Sequence, residues 1–201
     1  MKDLVLASAS PRRCALLEQM GAVFSVCPAE VDETIDPQLG GAEYWAVSLA
    51  EKKARAAARM SPASQAVILA ADTMVVIDGK ILGKPKSDED ALEKLRLLSG
   101  RCHEVITGFC LLDSGSGKTC TDCVKTSVFF RKLSETEMQA YVACGEGKDK
   151  AGGYGIQGLG AMLVERIEGC YFNVVGLPIS AVYRGLQQMG IELLGEKQDV
   201  Q

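Results

Sequence analysis

Residues Ala66-Val67-Ile68-Leu69-Ala70-Ala71 are apolar without a break, and polar segments bound them on both sides. A run of strand length without alternation marks a strand covered on both faces, in the middle of a sheet with helices packed around it. The run is expected to end at Asp72-Thr73. Few other segments constrain the fold as strongly, because the rest of the chain must supply the layers that cover this strand.

Those layers can be read in chain order. Leu4 to Ala7 form a strand that runs into a helix from Pro11 to Met20, stopped by Gly21. Val23 to Val26 follow as a strand, and Cys27 to Gly41 as an acidic irregular connection holding Glu30, Asp32 and Glu33. An alanine-rich helix spans Ala42 to Met60 and carries Lys53. Beyond the central strand, Asp78-Gly79 joins Met74–Ile77 to Lys80–Leu82 as a hairpin. Ser87 caps a helix from Asp88 to Leu98, and His103–Leu112 and Lys118–Lys132 read as long strands. Ser134 and Glu137 make a capping box for a helix reaching Ala143. Met162–Ile167 and Cys170–Val175 read as a closing hairpin, followed by a helix from Pro178 to Met189. The expected class is α/β: an elongated, mixed, twisted sheet flanked by helices, in two lobes around a central cleft. Residues 1–194 form that one unit and 195–201 a frayed tail.

With 201 residues, 47% of them apolar, the chain can bury a sizeable core. Its net charge of −4 argues against a nucleic-acid coat protein. The apolar run at Ala66–Ala71 is too short to span a bilayer and the N-terminus lacks a signal-peptide pattern, so no membrane partner and a cytoplasmic location are expected. The eight cysteines are scattered rather than spaced as a disulfide frame, which suits reduced thiols filling the core. Cys120 and Cys123 fall on opposite faces of their strand, and with His103 the chain's single histidine, a zinc site is not expected. His103 reads as a partly buried structural residue.

Basic groups must therefore act locally, and one pair stands in an unfavourable place. Ser10 and Pro11 start the first helix, whose exposed N–H groups and positive dipole end repel Arg12 and Arg13. An anion resolves the conflict: a phosphate there meets backbone donors, the Ser8 and Ser10 hydroxyls and two guanidinium forks. The plainer alternative has both arginines pointing into water. Asp72, at the end of the most buried strand, can hold a divalent metal or accept a proton from water, although a turn or capping aspartate is the common alternative. Lys53 and Lys84, the latter between Gly83 and Pro85, can converge with the arginines on an oligophosphate. A lysine such as Lys53 on an alanine-rich helix is more often solvated. Glu33, and less directly Glu30 and Asp32, can add carboxylates for metal or water.

Two motifs mislead. Gly115-Ser116-Gly117-Lys118-Thr119 resembles the tail of a P-loop, but Leu112 stands where the first glycine belongs and a strand pattern follows, so a hairpin turn is assigned. Gly153-x-Gly155-x-x-Gly158 spells a dinucleotide fingerprint, yet it leads from a helix toward a strand, the reverse of the required order. Gly145 to Gly160 contains seven glycines, which lets the backbone approach a ligand closely.

Ser8-x-Ser10-Pro11-Arg12-Arg13, Val31-Asp32-Glu33, Lys53-Ala54, Ala71-Asp72-Thr73, Gly83-Lys84-Pro85 and Asp149-Lys150-Ala151-Gly152-Gly153-Tyr154-Gly155-Ile156-Gln157-Gly158 together resemble the Maf family of nucleoside triphosphate pyrophosphatases, in order and over nearly the whole chain. The resemblance implies the fold shared with inosine triphosphate pyrophosphatases and an often dimeric, cytoplasmic enzyme. It implies hydrolysis of a nucleoside triphosphate between the α and β phosphates, dependent on a divalent metal such as Mg²⁺ or Mn²⁺. By matching motif, Asp72 is the proton acceptor, Ser8, Arg13, Lys53 and Lys84 are phosphate contacts, and Asp72 and Glu33 are the metal or water ligands. Arg12, Thr73 and Gln157 resemble the branch acting on dTTP and UTP; the 7-methyl-GTP branch differs at all three, with an acidic residue in place of Gln157. Gly153 stands where relatives usually carry alanine. A nucleotide-binding regulator of cell division and septum formation, acting through a partner, is the alternative.

Overall fold

The structure, a computed structural model, describes residues 2–36, 39–60 and 65–194. Seven strands build one mixed sheet: β1 (Asp3–Leu6), β2 (Ser25–Val26), β3 (Ala66–Ile77), β4 (Lys80–Leu82), β5 (Cys102–Asp113), β6 (Thr119–Phe130) and β7 (Val164–Glu168). Their order is β2-β1-β3-β5-β6-β7, with β4 also on β3. Among the described residues six α-helices surround them: α1 (Pro11–Gln19), α2 (Ala42–Met60), α3 (Asp88–Leu98), α4 (Glu135–Cys144), α5 (Tyr171–Val175) and α6 (Ile179–Gln188). This is the expected open α/β architecture. The expected tail at 195–201 lies outside the described residues.

The expected break at Asp72-Thr73 is absent: β3 is one strand of 12 residues that runs straight through them. Two polar residues do not end a strand whose ladder on one side is unbroken, and β5 pairs with β3 antiparallel from Val67↔Asp113 to Val76↔Glu104. The other side of β3 is shared. β1 pairs parallel with residues 66–69, β4 pairs antiparallel with residues 75–77, and neither covers the stretch between. Asp72 and Thr73 lie in that gap, where the sheet changes partner and opens.

Side chains alternate along β3, so the gap has two faces. Ile68, Ala70, Met74 and Val76 face α2, which lays Ala46, Ala50, Ala54 and Ala57 on them, all fully buried. Val67, Leu69 and Ala71 pack with Leu16, Leu17, Leu177 and Val182 from α1, α6 and the segment before α6; Val75 and Ile77 pack with Leu95 and Leu98 of α3. Each buried Val, Leu or Ile contributes about 1.5–3 kcal/mol, so these cores hold β3 firmly on both sides of the gap. Gly108 is the partner of Asp72 on β5, and a Cβ there would lie 2.4 Å from the Ala46 carbonyl carbon. The glycine lets the α2 backbone rest directly on the sheet beside Asp72.

The other departures are local. Cys170–Val175 is not a strand: Tyr171–Val175 form α5. A short apolar run does not by its pattern tell strand from helix, and here Asn173 decides. Turned fully inward, it donates from Nδ2 to the Val105 carbonyl and Thr126 Oγ1, both at 2.9 Å. The strand expected at Val23–Val26 is confined to Ser25–Val26, and the last strand starts at Val164 rather than Met162. The hairpin turn at Asp78-Gly79 and the Ser134/Glu137 capping box form as expected.

Candidate active site

A cleft of about 980 Å³ opens at the gap in β3. Its walls contain nine of the residues singled out from the sequence: Ser8, Arg12, Arg13, Glu33, Lys53, Asp72, Thr73, Lys84 and Gln157.

On the α2 side, Lys53 is the centre. It lies on the flank of the buried alanine stripe, and its Nζ donates to Asp72 Oδ1 at 2.5 Å and meets Glu33 Oε1 at 2.6 Å. The Lys53 and Asp72 side chains are only 13% and 15% exposed, so this is no solvated surface lysine; Glu33, at 50%, faces the opening. Partial burial works to raise the Glu33 carboxyl, but its hydrogen bond to the Lys53 ammonium, with Lys84 and Arg13 beyond, holds it below the ordinary carboxylate range. Asp32 turns away. Its Oδ1 accepts from the Thr34 amide and hydroxyl, which makes it a loop-turn residue, whereas Glu30 does line the cleft.

On the opposite side, Arg13 does not point into water, as the plainer alternative had it. Its Nε donates to the Gly176 carbonyl at 2.8 Å, one terminal nitrogen to Ser8 Oγ at 3.3 Å and the other to Thr73 Oγ1 at 3.1 Å. Thr73 in turn pairs with Thr107 Oγ1 at 2.9 Å, and Thr107 donates to the Asn173 carbonyl at 3.0 Å. Burial pulls the Arg13 pKa down, Asp72 opposes that shift and Arg12 adds to it. A guanidinium has five donors, and three are engaged here, so two remain for an anion. Ser8 Oγ accepts from Arg13 and from the Ser10 amide, which leaves its own proton free to donate. Ser10 holds the N-cap position with an extended backbone, but its side chain makes no capping bond.

The mouth is closed by the glycine-rich segment. Asp149 approaches Arg12 at 3.6 Å and pairs with Lys150 at 2.6 Å. Partial burial works to raise the Asp149 carboxyl, and these cations, Lys150 first, bring it below its ordinary value. Lys84 is exposed at the rim, and the neighbouring Gly83 carbonyl accepts from the Gly152 amide at 3.2 Å, which ties the two rim segments together. Gln157 is exposed to the cleft. Beneath them His103 is only 2% exposed, with Nε2 2.6 Å from Tyr154 Oη, and burial lowers its pKa to about 4.

Sequence reasoning did not single out Asp149 and Lys150 as site residues, although both lie inside a quoted motif. Thr107, Asn173 and the Gly176 carbonyl had no sequence signal at all, because they act from distant segments.

Glu33 and Asp72 share one ammonium, so two carboxylates already converge on a position for a single cation. Among the described residues no group of three or more His, Cys, Asp or Glu side chains gathers as a closed cage. Two carboxylates completed by water and phosphate oxygens suit Mg²⁺, which keeps much of its hydration. The residues fit a metal that is shared with a phosphorylated ligand.

Known proteins with this sequence pattern are consistent in kind. The pattern described as Maf-like protein matches residues 3–189. A dTTP/UTP pyrophosphatase of Syntrophomonas wolfei is 50% identical over 190 residues, covering 94% of this chain and 98% of its own length. Enzymes of the same name from Halalkalibacterium halodurans and Caldicellulosiruptor saccharolyticus are 48% and 44% identical, covering 94% and 96% of this chain and 97% and 98% of their own. Among the described residues no helix is long and apolar enough to cross a membrane.

Proposed function

The chain belongs to the Maf family, and on that premise we propose that it hydrolyses pyrimidine nucleoside triphosphates, dTTP and UTP, between the α and β phosphates. The observation that carries this reading is the arrangement around Lys53: one ammonium holding two carboxylates in a cleft that Arg12, Arg13, Lys84 and the Ser8 hydroxyl also line.

The triphosphate lies across the gap in β3. The spare donors of Arg13 and Ser8 take phosphate oxygens from one side, Lys53 and Lys84 from the other, and Arg12 exchanges Asp149 for the substrate. Several cations are needed because a triphosphate carries several charges. Asp72 accepts the proton of a water whose oxygen forms a bond to the α phosphorus, while the bond to the bridging oxygen breaks and its electron pair leaves with pyrophosphate. Glu33 and Asp72 would hold a Mg²⁺ or Mn²⁺ ion. When bound, it supplies neutralisation of phosphate charge and polarisation of the phosphoryl group.

Thr73 acts by passing a hydrogen bond from Arg13 to Thr107, with its hydroxyl already engaged. The Gln157 amide can donate to and accept from the O4/N3 edge of uracil or thymine, where a carboxylate only accepts. Residues 1–194 work as one two-lobed catalytic unit, in the cytoplasm and as a homodimer. The partner-dependent regulator is not favoured, since binding alone does not call for an acid beside the phosphates and the relatives are named as enzymes.

The test is turnover of dTTP and UTP by purified protein with and without divalent metal, in water enriched in ¹⁸O. Monophosphate carrying the label together with unlabelled pyrophosphate is expected. Release of diphosphate and inorganic phosphate, or no turnover, refutes the reading.

A further inference from the structure

Gln157 makes no hydrogen bond to any other described residue, so the reach of its amide is limited only by the position of the backbone that carries it. That backbone is pinned on both sides. Two residues earlier, the Gly155 amide donates to Tyr141 Oη at 3.2 Å. Just after it, the Leu159 and Gly160 amides donate to the two carboxylate oxygens of Glu146 at 3.1 and 3.3 Å. Both anchors belong to one rigid piece. Tyr141 is a buried residue of α4, packed with Leu95, Leu98 and Met138, and Glu146 follows directly after Gly145, the left-handed stop of that helix.

The glycines of the segment fit this purpose. Gly158 has φ +63°, and a Cβ there would sit 2.7 Å from Glu146 Oε1. At Gly160 a Cβ would sit 1.9 Å from the Gly155 carbonyl oxygen and 2.9 Å from Tyr141 Oη. Only a loop without side chains at these points can fold over the two anchors. Neither Tyr141 nor Glu146 lines the cleft, so neither is placed to touch substrate.

We infer that Glu146 and Tyr141 are positioning residues for base preference, acting through Gln157. The inference rests on the reading that Gln157 faces the pyrimidine edge, and it adds that the preference is held in place by α4 and its C-terminal turn.

The experiment compares kcat/KM for UTP and GTP in the wild type, Glu146→Ala, Glu146→Gln, Tyr141→Phe, Gln157→Ala and the Glu146→Ala/Gln157→Ala double variant. A misplacement on the order of 1 Å costs up to about a hundredfold, so Glu146→Ala should lower the UTP:GTP ratio about tenfold, through UTP alone. Glu146→Gln keeps an acceptor oxygen and should recover most of that ratio. On the Gln157→Ala background, Glu146→Ala should bring no further fall. Hydrogen exchange at the Leu159 and Gly160 amides should speed up in Glu146→Ala, a readout separate from turnover.

An equal loss on both nucleotides, an unchanged ratio, or a second full loss in the double variant overturns the inference. Should Glu146→Ala not fold, Tyr141→Phe, which keeps the buried ring, carries the same comparison. A Gln157→Ala variant with an unchanged ratio refutes the base-reading role itself and the inference with it. A wild type inert toward both nucleotides refutes only the proposed reaction; the same variants are then compared by binding of nonhydrolysable UTP and GTP analogues.

Discussion

Replacing Asp72 by asparagine keeps the size and one acceptor oxygen and removes the charge. The structure separates its effects. Lys53 retains Glu33 at 2.6 Å, so its ammonium is not stranded, and the oxygen of the new amide can still receive its hydrogen bond. The stability loss should therefore fall well short of the roughly 3–5 kcal/mol expected when a buried charge loses its sole partner. About 1–2 kcal/mol is expected, which for a chain of this size lowers the melting temperature by about 2–8 °C. Turnover should fall much further. An amide cannot take the proton of an attacking water, and loss of a general base costs about 10²–10⁴ in rate, or about 3–5 kcal/mol of barrier at 1.36 kcal/mol per decade. Affinity should move the other way: Asp72 offsets the charge of Lys53 and Arg13, and without it the cleft is more positive toward a triphosphate. Steady-state kinetics on UTP, with thermal unfolding of the same preparation, should show kcat down at least a hundredfold and KM unchanged or lower. A variant whose kcat stays within about fivefold of wild type removes Asp72 as the proton acceptor, since that is far short of the general-base scale; one with normal kcat and raised KM makes it a binding residue instead.

Three further outcomes can be checked directly. Gly108→Ala places a methyl group 2.4 Å from the Ala46 backbone of α2 and should destabilise by about 1–3 kcal/mol or more, read by urea unfolding; an unchanged midpoint would mean that α2 is not seated as described. Gln157→Glu should shift relative rates across a nucleotide panel away from dTTP and UTP, and an unaltered profile refutes the amide's role. His103, depressed by burial to about 4 from 6.5, binds its proton more readily unfolded than folded. Its contribution is complete above pH 6.5 and is lost as the pH falls toward 4, about 3 kcal/mol in total at 1.36 kcal/mol per unit. Unfolding at about pH 7 and about pH 4.5 should show this loss in wild type and much less of it in His103→Gln; equal losses would refute the assignment.

The parts of the fold that rest on neighbouring residues were legible before any coordinates. The capping box of Ser134 and Glu137, the Asp78-Gly79 turn and Gly21 after α1 are local arrangements of side chain and backbone, and each forms where the pattern put it. The chemistry was legible in part for a similar reason: a pair of arginines at a helix start is unfavourable without an anion, wherever that helix lies. Position was not legible in the same way. Asp72 read as a strand end because it and Thr73 interrupt the apolar run, yet β5 holds the strand together from the far side. Arg13 read as a possible surface group because nothing near it in sequence beyond Ser8 accepts its hydrogen bonds.

Sequence alone determined which groups carry charge, where helices other than α5 begin and stop to within a residue or so, and that one strand must be covered on both faces. Tertiary structure alone decided that β3 continues through Asp72, that Cys170–Val175 coils inward on Asn173, and that Lys53 and Arg13 reach the same gap from opposite faces of the sheet. The physical reason is range. Caps and turns are settled within a few residues, whereas the bond from Arg13 to the Gly176 carbonyl spans 163 residues and the Asp72↔Gly108 pairing joins separate strands. Such contacts exist only once the sheet has assembled.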